Sequence, residues 1–298
     1  MKILVIGCKG FIGSHTYDHF ARTGHEVYGC DVLVEYNDAH YFQVDATNAD
    51  YNELFLSNHF DVCVNCAGAS SVPDSFVHPG RDFYLNVQTV YSILEAIRKH
   101  NPSCKFINLS SAAVYGNPGC LPISESSGLN PLSPYGLHKH YTEQICREFH
   151  SYFGVATSSL RIFSAFGPGL RKQLFWDWFR KVKRSNEVEL YGTGLESRDF
   201  IFIEDVCHAV ECVVAAAPFR SECINVGNGV EISIRKAMEV FKEESGLDFI
   251  YKFNNEVRTG DPINWQADIG LLQSFGYVGK YSFKEGIRSY LAWVKDKQ

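Results

Sequence analysis

The stretch KILVIGCKGFIG, residues 2–13, decides how the first half of the chain folds. An apolar run ends in Gly7, and Gly10 and Gly13 follow at intervals of three. A strand, then glycines, then a helix is the context in which a glycine-rich turn carries information. Gly7 allows the tight turn, Gly10 the close approach of a pyrophosphate, and Gly13 the packing of helix on strand. Amides at the helix start, from Phe11 and Ile12 onward, then face the phosphates with the positive end of the helix dipole. The spacing is GxxGxxG rather than GxGxxG. Asp31, 18 positions after Gly13, strengthens it by ending the next apolar run, where a carboxylate can accept hydrogen bonds from both ribose hydroxyls of NAD.

Working outward, KILVIG (2–7), EVYGCDV (26–32), AHYFQVDA (39–46), DVCVNCAG (61–68), KFINLSS (105–111) and ATSSLRIF (156–163) read as strands. Most are continuous apolar runs, as in strands buried on both faces. Helical stretches at roughly 12–23, 50–58, 81–100 and 135–153 separate them. Strands alternating with helices imply right-handed crossovers and an α/β, doubly wound parallel sheet of the Rossmann type. After residue 163 the rhythm changes to glycine, proline and aromatics, in SAFGPGLRKQLFWDWF. The expected division is a dinucleotide-binding domain over 1–163 and a smaller α/β substrate-binding domain over 164–298, with about 198–228 returning to the first.

A net charge of −6 gives no electrostatic reason to bind nucleic acid or anionic membrane. No apolar run of 18 residues exists, and Met1-Lys2 leads straight into a strand without a leader-like segment. Ten cysteines in 298 residues read as reduced thiols of a soluble cytoplasmic protein. Cys63 and Cys66 match CxxC, but on a strand they point to opposite faces, and no metal is expected. The histidines of HKHY (138–141) lack zinc spacing and read as a solvated helix face.

Chemistry is carried by SPYGLHK, in which Tyr135 and Lys139 share one helix face at i and i+4. A neighbouring ammonium stabilises phenolate, so the Tyr135 phenol is expected to fall from its usual value near 10 toward neutrality. NLSSAAVYG ends a strand at the carboxyl edge of the sheet, where Ser110 or Ser111 can reach a substrate oxygen beside Tyr135.

With these motifs assembled, the whole chain resembles the extended short-chain dehydrogenases/reductases, in their NAD-dependent nucleotide-sugar epimerase/dehydratase branch. GCKGFIG, Asp31, VDAT, NCAGAS, LNV, LSSAAVYG, SPYGLHK, LRIFSAFGPG, RDFIFIEDV, NVGNG and RTGDP carry the resemblance. It implies Ser111 as catalytic hydroxyl, Tyr135 as acid/base and Lys139 on the nicotinamide ribose. It also implies cofactor contacts from Asp45, Ala46, Cys66, Ala67, Gly68, Asn86 and Phe163. Arg198 and Arg258 would clamp a nucleoside diphosphate, a geometry guanidinium suits. Ser164 stands where the family usually has Asn beside the phosphates, and Trp265 would wall the sugar pocket or pack as a core aromatic. Helices 81–100 and 135–153 would form a four-helix homodimer interface.

The related dehydratases have Thr-Asp-Glu where this chain has Ser111-Ala112-Ala113, and two alanines can supply neither acid nor base for elimination. The resemblance therefore implies a 4-epimerase of a nucleoside-diphosphate hexose, working through a transient 4-keto sugar. Asp31 favours NAD by repelling a 2′-phosphate, whereas Lys9 could pair with one and favour NADP. The alternatives are therefore a 4-keto nucleotide-sugar reductase using NAD(P)H, and a non-catalytic nucleotide sensor.

Overall fold

The computed structural model describes residues 1–46, 48–256 and 258–296. The strands β1 (Lys2–Ile6), β2 (Glu26–Asp31), β3 (Tyr41–Gln43), β4 (Val62–Asn65), β5 (Lys105–Ser111), β6 (Thr157–Ile162) and, further along the chain, β10 (Arg220–Val226) form one sheet. Their order is β10-β6-β5-β4-β1-β2-β3, and every pairing is parallel. The sheet is doubly wound, and its order reverses between β1 and β4, where open sheets of this kind bind ligands beyond the strand ends.

Alternation along each strand explains the two-sided burial. Ile3 and Val5 point to one face, with Val62, Val64, Ile107, Leu109, Leu160 and Ile162. Leu4 and Ile6 point to the other, with Cys63 and Phe106. Helices α1 (Phe11–Arg22) and α8 (Ile203–Ala216) pack together on the first face. Helices α2 (Asn52–Ser57), α5 (Thr89–His100) and α6 (Pro134–Phe153) cover the second. The helix expected over 81–100 is made in pieces: α4 (Pro79–Phe83) runs through a π-helical turn at Tyr84–Gln88 into α5. Between β4 and α4 lies a short helix, α3 (Val72–Val77).

The rest of the chain builds two small sheets. Strands β7 (Ser164–Phe166), β9 (Ser197–Phe202) and β11 (Glu231–Ser233) form one, and β8 (Glu187–Leu190) and β12 (Ile250–Phe253) the other. Helices α7 (Gln173–Val182), α9 (Ile234–Ser245), α10 (Gly270–Ser274) and α11 (Phe283–Asp296) complete the fold. Of the segment 198–228, α8 and β10 join the large sheet, whereas β9 lies in the small three-stranded one.

One buried ion pair ties this framework to the site. Arg161, next to the last residue of β6, donates Nε and Nη2 to the two carboxylate oxygens of Glu143 on α6, at 2.9 and 2.8 Å. The side chains are 5% and 2% exposed. Ser110 Oγ donates to the same carboxylate at 2.6 Å, and Arg161 Nη1 donates to Tyr115 Oη at 2.8 Å. Burial pushes the Glu143 carboxyl up, but hydrogen bonds from Arg161, His140 and Ser110 outweigh it and hold the group at about 2.

A carboxyl with a depressed folded value stabilises above its ordinary range and loses that stabilisation as pH falls. Denaturant titrations are therefore expected to show the Glu143 contribution intact above pH 4.5 and lost progressively toward about pH 2. Arg161→Ala leaves a buried charge unpaired and is expected to cost about 3–5 kcal/mol in the same measurement.

Candidate active site

Backbone packing at the switch point is too close for side chains. A Cβ on Gly13 would meet the Gly7 carbonyl oxygen at 2.0 Å. One on Gly7, whose φ is +80°, would meet the Ala67 nitrogen at 2.6 Å. The Gly10 and Gly7 backbones close the turn at 3.0 Å, and Gly10 caps α1 without any side chain over the first-turn amides of Phe11, Ile12 and Gly13. No acidic residue occupies that turn. Exposed Gly10 and uncapped amides at a helix start fit an incoming pyrophosphate.

Asp31 ends β2 beside this loop, and its carboxylate takes the backbone amides of Lys9 at 2.9 Å and Val32 at 2.7 Å. The Lys9 ammonium turns away to Glu35 at 3.1 Å and lies over the Tyr41 ring. It is thus engaged by a carboxylate. Asp45 and Ala46 are exposed just past β3, whose Gln43 is in register with Asp31. Cys66, Ala67 and Gly68 follow β4 and wall the glycine turn. Asn86, in the π-helical turn, is buried, and its Oδ1 has no hydrogen-bond partner among the described residues. That oxygen would stand 2.5 Å from a Cβ on Gly68, so an unspent acceptor faces the cradle. These features fit a dinucleotide.

Ser111 is the last residue of β5, and Tyr135 and Lys139 lie in the first turns of α6, which Ser133 caps through the Gly136 amide at 3.1 Å. Ser110 is spent on Glu143, which leaves Ser111, whose Oγ accepts the Ala113 amide at 3.1 Å, as the hydroxyl beside Tyr135. Ala112 is buried and Ala113 partly so. Tyr135 and Lys139 are both buried. Burial pushes the Tyr135 phenol up to about 12, against a downward pull from Ser111.

The expectation that Lys139 lowers this phenol is therefore corrected. The Lys139 ammonium donates to the Leu109 carbonyl at 2.9 Å, and its Nζ sits 6.0 Å from the Tyr135 ring centroid. Burial pulls Lys139 itself down to about 8, with Asp82 opposing. The second correction concerns His138, which is buried rather than solvated and pairs with Asp82.

Phe163, just past β6, is buried and packs edge-on against Trp265 at 5.9 Å. Trp265 is 8% exposed and donates Nε1 to the Gly116 carbonyl at 3.0 Å, so it is built into the core beneath the site. Arg198 lies over its ring at 5.8 Å, with Nη1 donating to the Ser197 and Ile263 carbonyls. Arg258 is exposed and stacks on Tyr191 at 3.9 Å. Neither arginine has an ion pair among the described residues. Ser164 opens β7 and is partly buried. Sequence reasoning missed Asp82 and the Arg161–Glu143 network; a charged residue inside the apolar run of ATSSLRIF was the available sign.

A doubly wound sheet with a glycine cradle and a Ser–Tyr–Lys set at its carboxyl edge defines a dinucleotide-dependent enzyme of the short-chain dehydrogenase/reductase class. Residues 3–227 match the NAD dependent epimerase/dehydratase family, to which the chain belongs. It is 28% identical to the UDP-glucose 4-epimerase of Lactobacillus helveticus, over 90% of this chain and 88% of that one. Among solved structures, it is similar to UDP-glucuronic acid 4-epimerase from Bacillus cereus in complex with UDP-glucuronic acid and NAD. That likeness has 25% identity, a TM-score of 0.90 and full coverage of both chains. It is also similar to UDP-N-acetylglucosamine 4-epimerase from Methanobrevibacter ruminantium, at 26% identity and TM-score 0.89, over 100% of this chain and 99% of that one.

The cradle predicts a binding experiment. Asp31→Ala is expected to narrow the preference for NAD over NADP in calorimetric titrations, by removing repulsion of the 2′-phosphate. A wild-type protein that binds NADP more tightly than NAD would overturn the assignment.

Proposed function

We propose that the protein is an NAD-dependent UDP-hexose 4-epimerase, with residues 1–163 together with α8 and β10 as the cofactor-binding domain and the rest of 164–298 as the substrate-binding domain. The observation that carries this reading is the site's composition: Ser111 beside Tyr135, followed by Ala112 and Ala113 on the adjoining turn. Proton transfer at one hydroxyl is provided for, and an acid and base for eliminating water are not. The UDP-sugar 4-epimerases to which the chain is similar support the same choice.

In this reading Gly7, Gly10, Phe11, Ile12 and Gly13 hold the pyrophosphate, and Asp31 the adenosine ribose. Asp45, Ala46, Cys66, Ala67, Gly68, Asn86 and Phe163 line the remaining contacts, with Lys139 on the second ribose. NAD held by these residues would supply a reversible hydride acceptor for sugar C4 and a positive charge that favours phenolate at Tyr135. Ser111 donates to the sugar O4 while Tyr135 takes its proton, giving a 4-keto sugar, and Tyr135 returns the proton after the sugar has turned. The phenol's raised value makes it a weak acid whose phenolate is a strong base for the O4 proton, so ionisation before the first transfer needs cationic help. Arg198, Arg258 and Ser164 would hold the diphosphate, and Trp265 would act from below by supporting Arg198. The engagement of Lys9 by Glu35 removes the residue that favoured an NADP-linked reductase.

Self-association through α4–α6 is supported by the exposed apolar side chains Phe83, Tyr91, Leu137 and Tyr141 along those helices. A cytoplasmic location is supported by ten unbridged cysteines. Among the described residues no helix is long and apolar enough to cross a membrane.

Enzyme without added cofactor is expected to interconvert C4 epimers of UDP-glucose, UDP-glucuronate or UDP-N-acetylglucosamine. In deuterated water no solvent deuterium should enter at C4. If none inverts, while a 4-keto sugar oxidises NADH or NADPH stoichiometrically, the protein is a reductase instead. Tyr135→Phe is expected to keep less than about a tenth of wild-type turnover while still binding NAD, because it removes only the proton-transfer oxygen. Arg198→Ala is expected to raise KM by the equivalent of about 1.5–3 kcal/mol, the worth of a charged hydrogen bond.

A further inference from the structure

Behind Lys139 lies a second buried carboxylate, hydrogen-bonded to an imidazole, that the chemistry above does not use. Asp82, at the end of α4, is 2% exposed, and its Oδ1 meets His138 Nδ1 at 2.6 Å. His138 precedes Lys139 on α6 and is shielded by Phe83, edge-on at 5.4 Å, and by Tyr141. Asn86, one turn beyond Asp82, donates Nδ2 to the Asp82 carbonyl and to Oδ1, both at 3.2 Å. Its own Oδ1 points the other way, to the side of Gly68 that the Lys139 ammonium also crowds. A Cβ there would stand 2.5 Å from the oxygen and 3.5 Å from Nζ. The second carboxylate oxygen of Asp82 is buried with no hydrogen-bond partner among the described residues. A buried carboxylate with a bare oxygen is a poor device for stability, and apolar residues of similar size often serve a fold better.

We propose that Asp82, anchored by His138 and linked through Asn86, is the fixed counter-charge of Lys139 and sets the pH window of proton transfer at Tyr135. The two are positioning residues, and the inference rests on the reading of Tyr135 and Lys139 as the proton-transfer pair. A negative charge behind Lys139 keeps its ammonium protonated against burial, and the same charge opposes phenolate at Tyr135. Asp82 acts in both directions, as the foremost influence raising Lys139 and as one that raises Tyr135. The other groups acting on Lys139 are Cys66, beyond β4, and Glu143, which Arg161 already neutralises. Nearby, Arg81 on α4 is paired with Asp74 on α3 at 3.1 Å. Tyr84 lies on the π-helical turn.

The experiment compares pH profiles of kcat and of NAD affinity for wild type, Asp82→Asn, His138→Phe and His138→Gln, each checked by thermal melting. In Asp82→Asn both limbs of the kcat profile are expected to move to lower pH by roughly half a unit to one unit, less than the 1–3 units of a direct charged neighbour. His138→Phe removes the hydrogen bond that anchors the Asp82 carboxylate and is expected to shift the limbs the same way. His138→Gln retains a donor and is expected to leave them near wild type. Adding His138→Phe to Asp82→Asn is expected to move nothing further. Limbs that stay in place while only melting temperature or amplitude falls would overturn the proposal. If Asp82→Asn fails to fold, the contrast between the two His138 variants decides in the same terms. If wild type inverts none of the sugars, the epimerase reading fails separately, and the alkaline fall in NAD affinity tests the counter-charge. It moves to lower pH without the Asp82 charge if the inference holds, and stays if it does not.

Discussion

The buried pair between Arg161 and Glu143 fixes the distance between two elements that, on the proposed reading, act together. Ser111 comes from the end of β5 and Tyr135 from the start of α6, and no covalent feature holds those ends side by side. Glu143 does so, by taking Ser110 on one oxygen while both oxygens receive the guanidinium of Arg161 on the neighbouring strand. The network then runs outward. Tyr115 receives Arg161 and donates to Asn225 on β10, whose amide reaches the Ile123 and Asp268 carbonyls. Strand ends, the loop after β5 and the chain near residue 268 are thereby registered to one charge pair.

The two buried carboxylates near the site differ in how well they are satisfied. Glu143 has a bidentate partner and a hydroxyl, so burial is outweighed and the group stays ionised over any ordinary pH. Asp82 has one histidine, one amide and one oxygen without a hydrogen-bond partner among the described residues. The first arrangement is what rigidity requires. The second leaves an electrostatic influence free to act on its surroundings, and the buried ammonium of Lys139 is one group that it raises. Low dielectric strengthens that influence, as it strengthens the cost of the bare oxygen.

Legibility followed the range of the interactions. The glycine cradle could be read because Gly7, Gly10 and Gly13 act within seven residues, and the parallel sheet because continuous apolar strands alternated with helices. Tyr135 and Lys139 were legible as one helix face. What could not be read was the direction of the Lys139 ammonium, which a carbonyl 30 residues away determines. The same holds for His138, whose partner lies 56 residues back, and for Lys9, whose charge Glu35 claims across a loop. β9 looked like a return to the main sheet because its sequence is apolar, and apolarity does not say which sheet buries it.

Inversion at a single carbon imposes a condition that the geometry meets unevenly. One proton-transfer point serves both faces of the sugar on the proposed reading, so the sugar must turn while the diphosphate stays. Affinity must then be concentrated away from the reacting ring. Arg198 suits that demand, since it is half-buried on Trp265, tied by two carbonyls and in no direct ion pair among the described residues. Arg258, exposed on Tyr191, keeps rotamer freedom that the first arginine has lost. A rigid cation with a mobile one would hold a phosphate pair firmly at one end and adapt to it at the other. Ala112, buried, and Ala113, partly buried, bring no polar side chain to the turn after Ser111. Turning is easiest where the fewest polar groups grip the ring, so what these residues lack serves the reaction as directly as what Tyr135 supplies.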